Sequence, residues 1–160
     1  MENLHGIFQE MGFKPPMEWQ SDAVVYSIGR TANLLVRELA AVYQRFGLTV
    51  ASFNLLMLLK HGADPDSFSQ QALGQRLVVS PSDMTGLIDR LEQKGWVRRQ
   101  PGKDRRSKRL EITPKGAKLL DEVWPQHKAA LQRCISPLSK SEAQAVVRGL
   151  AHMRQALEGE

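Results

Sequence analysis

Apolar residues recur along the chain at helical spacing, broken at points where glycine, proline or a capping side chain stops the pattern. From about Asp22 to Phe46, Ile28, Ala32, Leu35, Leu39, Val42 and Phe46 alternate steps of four and three, which predicts one helix of more than five turns ending at Gly47. Thr49 is placed to cap a second helix carrying Phe53, Leu56, Met57 and Leu59, and Gly62 to stop it. Asp64-Pro65-Asp66 predicts a turn, and Ser69 the cap of a short helix with Ala72, Leu73 and Leu77. Before Asp22, Gly6, Gly12, Pro15 and Pro16 break any long helix and predict an extension over residues 1 to about 20.

The next stretch carries the sharpest local signals. Ser80-Pro81-Ser82-Asp83 combines an N-cap, a proline at the first helical position and an acid three residues after the cap. Met84, Leu87, Ile88 and Leu91 then follow at i, i+3, i+4 and i+7, which commits one face to a core before Gly95 ends the helix. Trp96-Val97, a basic turn around Pro101-Gly102-Lys103, and Leu110 and Ile112 with polar residues between them predict a β-hairpin. Thr113-Pro114 opens another helix whose Leu120, Val123 and Trp124 run into Pro125, where a kink is expected before the helix resumes to about Ile135. Ser139 with Glu142 predicts a capping box for a last helix with Val146, Val147, Leu150, Met153 and Leu157 on one face.

Charge changes the picture only through its distribution. The net charge of +5 is permissive of nucleic acid, but seven of the twelve residues from Arg98 to Arg109 are basic, with Asp104 the one acid among them. A single cysteine, Cys134, leaves no internal disulfide and fits a reducing cytoplasm. No apolar run approaches the roughly 18 residues of a membrane span, and the first residues lack the layout of a secretory signal. The four histidines show no ligand spacing, so no metal and no other cofactor is expected.

A short helix, a brief turn, a capped helix and a basic hairpin form the arrangement of a winged helix-turn-helix. A helix about 10–12 Å across fits the major groove, and its first residues reach the base edges. With Met84, Leu87, Ile88 and Leu91 committed to the core, the opposite face presents Ser82, Thr85, Gly86, Asp89 and Gln93, with Arg90 at its flank. Ser69, Gln70, Gln71, Ser80 and Asp83 complete the candidate contacts on the two helices. In the hairpin, Arg105 and Arg106 suit a narrow minor groove, while Arg98, Arg99, Lys103 and Lys108 suit phosphates.

The segment SPSDMTGLIDRLEQKGWVRRQPGKDRRSKRLEITPKG resembles the recognition helix and wing of the MarR family of bacterial regulators. DRLEQKGWVRR, Asp104-Arg105-Arg106 and ITPKG carry the likeness, which extends over roughly residues 22–157. The resemblance implies a mainly α fold with a small β wing. Residues 1–48 would hold an extension and a dimerisation helix, 49–113 the DNA-binding unit, and 114–160 two further dimerisation helices. It implies a cytoplasmic homodimer on a pseudo-palindromic duplex operator, a repressor released by a small aromatic or phenolic effector. Arg106 matches the wing arginine of the minor groove, and Asp104 the acid that orients the wing. Trp19, Phe53, Asn54 and Met57 are candidates to line the effector pocket. Many relatives carry arginine where this chain has Gly86, so an operator does not transfer from them. The urate-responsive members use an acid and an arginine where Asn54 and Gly86 stand, which disfavours urate.

Blander readings accompany several residues. The basic run would be a solvated loop were it not for the capped helix before it. Asp83 either closes its helix or meets a base, and Asp89 is expected to pair with a wing arginine. Cys134, late in an apolar helix, is expected to be buried and inert rather than an oxidant sensor. His127 either lines a ligand cavity or is a satisfied core or surface histidine. The helix of residues 22–46 spans roughly 37 Å at 1.5 Å per residue, more than one small core covers, which favours association. An enzyme is disfavoured, since no glycine-rich phosphate loop, nucleophile elbow or acid–base cluster is present. An RNA-binding module would display aromatic stacking platforms, and the basic segment contains only Trp96.

Overall fold

The computed structural model describes residues 6–12, 20–62, 68–77, 80–101 and 108–159. In chain order the elements are α1 (Gly6–Glu10), α2 (Gln20–Gln44), α3 (Val50–His61), α4 (Gln70–Leu77), α5 (Pro81–Gln93), β1 (Val97–Pro101), β2 (Lys108–Ile112), α6 (Pro114–Ile135) and α7 (Lys140–Glu158). The expected winged helix-turn-helix is therefore present, with long helices on either side of it in sequence.

Short-range chemistry sets the helix starts. The hydroxyls of Thr49, Ser80, Thr113 and Ser139 accept from the backbone N–H of Ser52, Asp83, Gly116 and Glu142, each satisfying a donor the helix itself leaves open. Ser139 and Glu142 form the reciprocal capping box. Gly47 and Gly95 adopt φ of 68° and 71°, a left-handed turn that glycine enters without steric cost.

The core gathers on α3, whose Leu55 and Leu56 are fully buried, and on the inward stripe of α5, where Met84, Leu87, Ile88 and Leu91 are all at most 3% exposed. Leu73 of α4, Val97, Leu110, Leu120 and Val123 complete it. The strands β1 and β2 pair antiparallel from Val97↔Ile112 to Pro101↔Lys108. A further tie was not expected from the sequence: the N–H of Leu110 donates to the carbonyl of Phe68 at 3.0 Å, and Ser69 bridges Arg109. The segment entering α4 is thereby pinned to the wing.

The ITPKG segment has a structural reading. The Thr113 hydroxyl donates to the Gly95 carbonyl at 2.7 Å, and the Thr113 N–H to the Trp96 carbonyl at 3.0 Å. Pro114 starts the helix, and Gly116 passes so close to β1 that a Cβ would stand 2.2 Å from the Trp96 carbonyl oxygen. Only glycine permits that approach.

Two features refine the expectation and one departs from it. The N-terminal extension contains α1, because Phe8 is buried and meets Tyr26 edge-to-face at 5.8 Å. Helix α6 continues past Pro125, on its exposed side, and ends at Ile135 as the pattern predicts. Cys134 is the departure: it is only half-buried, since the neighbouring Leu131 and Ile135 have already left the core, at 38% and 56% exposed.

Where α2, α3 and α6 meet, Tyr43 stacks on Phe53 at 4.2 Å, and His127 lies 4.7 Å from Phe53 and 5.2 Å from Trp124. Burial pushes the Tyr43 pKa up to about 12 and pulls that of His127 below its ordinary value. Tyr43 therefore stays protonated, and its hydroxyl shares a hydrogen bond with Nδ1 of neutral His127, 2.9 Å away.

Two outcomes are expected. Gly116→Ala should destabilise the fold by about 1–3 kcal/mol, because the clash is with backbone rather than a mobile side chain, and thermal unfolding will measure it. A depressed histidine pKa means the unfolded chain binds more protons in acid, so stability is full above the ordinary value of 6.5 and declines as pH falls below it. His127→Gln should flatten that part of the decline in Tm; an unchanged pH profile would assign it to other groups.

Candidate nucleic-acid interface

The first two turns of α5 stand out from the core. Ser80, Pro81, Ser82, Asp83, Thr85, Asp89 and Arg90 are exposed, and Gly86 is half-buried. Beside them on α4, Gln71 is exposed and Ser69 and Gln70 are half-buried. A cleft of about 860 Å³ opens between the helices, with Gln70, Gln71, Ser80 and Pro81 on its walls.

Side-chain bonds organise this surface. Gln70 Nε2 donates to Thr85 Oγ1 at 2.6 Å, and that hydroxyl donates to the Pro81 carbonyl at 3.0 Å. The two helices are thus linked at their exposed edge, and the Thr85 rotamer is fixed. The Ser80 hydroxyl donates to Asp83 Oδ2 at 2.5 Å while accepting the Asp83 N–H, so the acid turns back onto its own helix start. Ser69 accepts from Ala72 N–H at 3.2 Å, capping α4 as expected.

A second set of bonds joins α5 to the wing. Arg99 on β1 donates to Asp89 at 2.5 Å and to Glu92, and Glu92 also accepts the Arg99 backbone N–H at 3.1 Å. The Asp89 hydrogen bond, with Glu92, raises the Arg99 pKa above the ordinary arginine value. Asp89 pairs with a wing arginine as its position predicted. Arg99 departs from the expected phosphate contact: its side chain is 24% exposed and its charge is spent inside the molecule. Glu92 escaped the sequence reading, although it stands one turn from Asp89 on the same face.

Arg98 is 58% exposed but donates to Glu111 across the hairpin at 3.0 Å, and Arg109 pairs with the same carboxylate at 2.8 Å. Arg98 foremost holds Glu111 below the usual carboxylate range. Arg90, by contrast, has no ion-pair partner among the described residues. Trp19, Lys103, Asp104, Arg105 and Arg106 lie outside the described residues, as does the side chain of Lys108. Of the effector candidates, Phe53 is buried in the aromatic stack, Met57 packs half-buried against the core, and Asn54 is exposed.

A capped helix with a polar outer edge, braced to a two-stranded hairpin and linked to a shorter helix before it, defines a winged helix-turn-helix protein. The sequence profile of the MarR family matches residues 46–107. The chain is 30% identical over 130 residues to the HTH-type transcriptional regulator PecS of Dickeya dadantii, covering 81% of this chain and 78% of PecS. It is 34% identical over 123 residues to the HTH-type transcriptional repressor MdtR of Bacillus subtilis, covering 76% and 77%. Sco3205, a MarR family regulator from Streptomyces coelicolor solved in complex with DNA, shares the fold at a TM-score of 0.79 and 22% identity, over 89% of this chain and 94% of Sco3205. The chain belongs to the MarR family and is a DNA-binding transcriptional regulator. Among the described residues, no helix is long and apolar enough to cross a membrane.

If Arg99 is a brace, its removal acts on geometry rather than on ion release. Arg99→Ala should cost about 1–2 kcal/mol of stability and weaken duplex binding. The slope of log affinity against log salt should stay unchanged, where a lost phosphate contact lowers it by about 0.9. A slope change of that size would return Arg99 to the phosphates.

Proposed function

We propose that this regulator is a homodimeric repressor that reads a pseudo-palindromic operator and lets go of it when a small aromatic or phenolic compound binds. The observation that carries the DNA reading is the brace itself: α5 and the wing are held as one rigid unit with the polar edge of α5 left outward. In this reading Ser82, Thr85, Gly86 and Arg90 meet base edges, with Ser80 and Asp83 shaping the start of the helix. Ser69, Gln70 and Gln71 lie along the DNA backbone. Arg98, Lys103 and Lys108 meet phosphates, and Arg105 and Arg106 enter the minor groove, with Asp104 orienting the wing.

The dimer is supported by apolar surface that the single chain leaves uncovered. Helix α7 buries no residue, and Val147 and Leu157 on it are 64% and 83% exposed. Val25 and Val36 on α2 and Ile135 on α6 are more than half exposed, and Val24 is 47% exposed. Residues 1–48 and 114–160 form the association region in this reading, and 49–113 the reading unit. Named repression by MdtR supports the direction of control. The effector class is supported by the aromatic cluster at the junction of these regions, whose open edge is Trp124, 40% exposed, and half-buried His127. Trp19, Phe53, Asn54 and Met57 are the candidate effector contacts in this reading, with Trp19 outside the described residues.

An effector displaces DNA only if it binds the two arrangements of the dimer unequally. By linkage the operator then weakens effector binding by the same factor, typically about 5- to 150-fold. Light scattering should give about twice the 18.0 kDa chain mass, and Leu150→Glu should abolish that species together with operator binding. Benzoate- and phenol-type compounds screened by tryptophan fluorescence should include ligands whose affinity falls on adding operator. A DNA-competent monomer would overturn the dimer, and ligands indifferent to operator would overturn the release mechanism.

A further inference from the structure

Gly86 stands in the second turn of α5 with ordinary right-handed helical backbone. A Cβ there would meet nothing closer than Arg90 Nη1 at 3.4 Å, the far end of a flexible side chain. The contrast is with Gly116 and Gly62, where a Cβ would strike the backbone carbonyls of Trp96 and Leu58 at 2.2 and 2.6 Å. Among the described residues nothing asks for glycine at 86, although glycine weakens a helix relative to alanine. Gly29 and Gly149 share this freedom, and both lie on helices with uncovered faces. The reason for Gly86 is therefore sought outside the chain, on the face that α5 presents.

Its neighbours define what can be read there. The single proton of the Thr85 hydroxyl goes to the Pro81 carbonyl, and one of its lone pairs takes Gln70 Nε2. What exposed Thr85 keeps for a partner is chiefly its methyl group. Asp83 is drawn back to Ser80 and Asp89 to Arg99, which takes away the carboxylates that would accept from cytosine N4. Thr85 and Gly86 themselves therefore present a small, apolar surface without a free donor, and the donor beside them is the guanidinium at the far end of the flexible Arg90 side chain. The one apolar feature of the major groove is the thymine 5-methyl group.

We infer that the Thr85–Gly86 step specifies a thymine through its 5-methyl group, which enters the space above Gly86 and packs on the Thr85 methyl. Gln70 acts as a positioning residue, holding the Thr85 hydroxyl so that the methyl stays available. The inference rests on the reading of DNA by α5 given above.

The bound sequence is first selected from a pool of random duplexes with the unaltered protein. Each thymine is then replaced in turn by deoxyuridine, which pairs identically but lacks the methyl. At one thymine per half-site, affinity should fall about three- to tenfold. Thr85→Ser keeps the hydroxyl network and loses only the methyl; it should melt within a degree or two of the unaltered protein and no longer distinguish deoxyuridine at that position. Gly86→Ala should raise the Tm and lower operator affinity, more on the thymine duplex than on its deoxyuridine counterpart. Deoxyuridine tolerated at every position, or a Thr85→Ser protein that retains the full penalty, would overturn the inference while leaving DNA reading intact. A pool that enriches no sequence would overturn both.

Discussion

The passage of Gly116 beneath the Trp96 carbonyl is the contact on which the arrangement of the molecule depends. Within a few residues the end of α5, the start of β1 and the start of α6 are sewn together. Trp96 N–H returns to the Leu91 carbonyl, Thr113 bonds both the Gly95 and Trp96 carbonyls, and Lys115 Nζ reaches the Lys94 carbonyl at 2.7 Å. A larger residue at 116 forces these strands of chain apart. With glycine there, the reading helix, the wing and the long helix α6 share one joint, so a shift at the base of α6 is carried to α5 with little slack. A continuous set of packed and hydrogen-bonded contacts of this kind is one physical route by which a site outside the reading unit can bias DNA binding.

Two sets of bonds then act at different distances from that joint. Arg99 fixes the wing to α5 by charge and by its own backbone, so the hairpin keeps its pitch relative to the helix. Further along α6, the stack of Tyr43, Phe53 and His127 fixes α6 to α2 and α3. The Tyr43–His127 hydrogen bond adds a polar tie within it, and burial favours the neutral forms of both rings. Lys60 adds a tie from α3 to Asp121 at 2.5 Å. The lobe that reads and the helices that flank it are thus joined at three places along α6 rather than through a flexible linker.

What the sequence made legible follows the range of the interactions. Caps, proline starts and glycine stops act over three or four residues, so Thr49, Ser80, Thr113 and Ser139 could be placed from pattern alone, as could the buried stripe of Met84, Leu87, Ile88 and Leu91. Contacts between elements left weaker traces. The Gln70–Thr85 bond joins residues fifteen apart, and the Phe68–Leu110 bond depends on the fold closing first. Charge was the least transparent: of the basic residues in the hairpin segment read as candidates for DNA, Arg98 and Arg99 have carboxylate partners that only the folded chain brings to them, as does their neighbour Arg109. Glu92 and Glu111 do not look like partners in the sequence because the alignment of strand on helix decides it. The short helix in the extension left no trace in the pattern for a related reason, since its five residues include the buried Phe8 rather than a periodic apolar stripe.

Helix α7 poses the remaining energetic question. Nineteen residues with a full capping box at one end and a left-handed Gly159 at the other are locally well specified, yet the helix buries nothing within the chain. Isolated helices of this length are marginal in water, because nucleation is costly and propagation gains little per residue. In proteins most helical stability comes from burying an apolar face, and α7 has such a face in Val146, Val147, Leu150 and Leu157. The free energy that keeps it helical must then come from surface outside the chain, which is what the proposed pairing of two copies supplies. Folding of the C-terminal region and association become a single equilibrium, dependent on protein concentration. Since α6 leads into α7 at one end and into the Gly116 joint at the other, the geometry of the proposed pairing would set the separation at which two copies of α5 meet an operator.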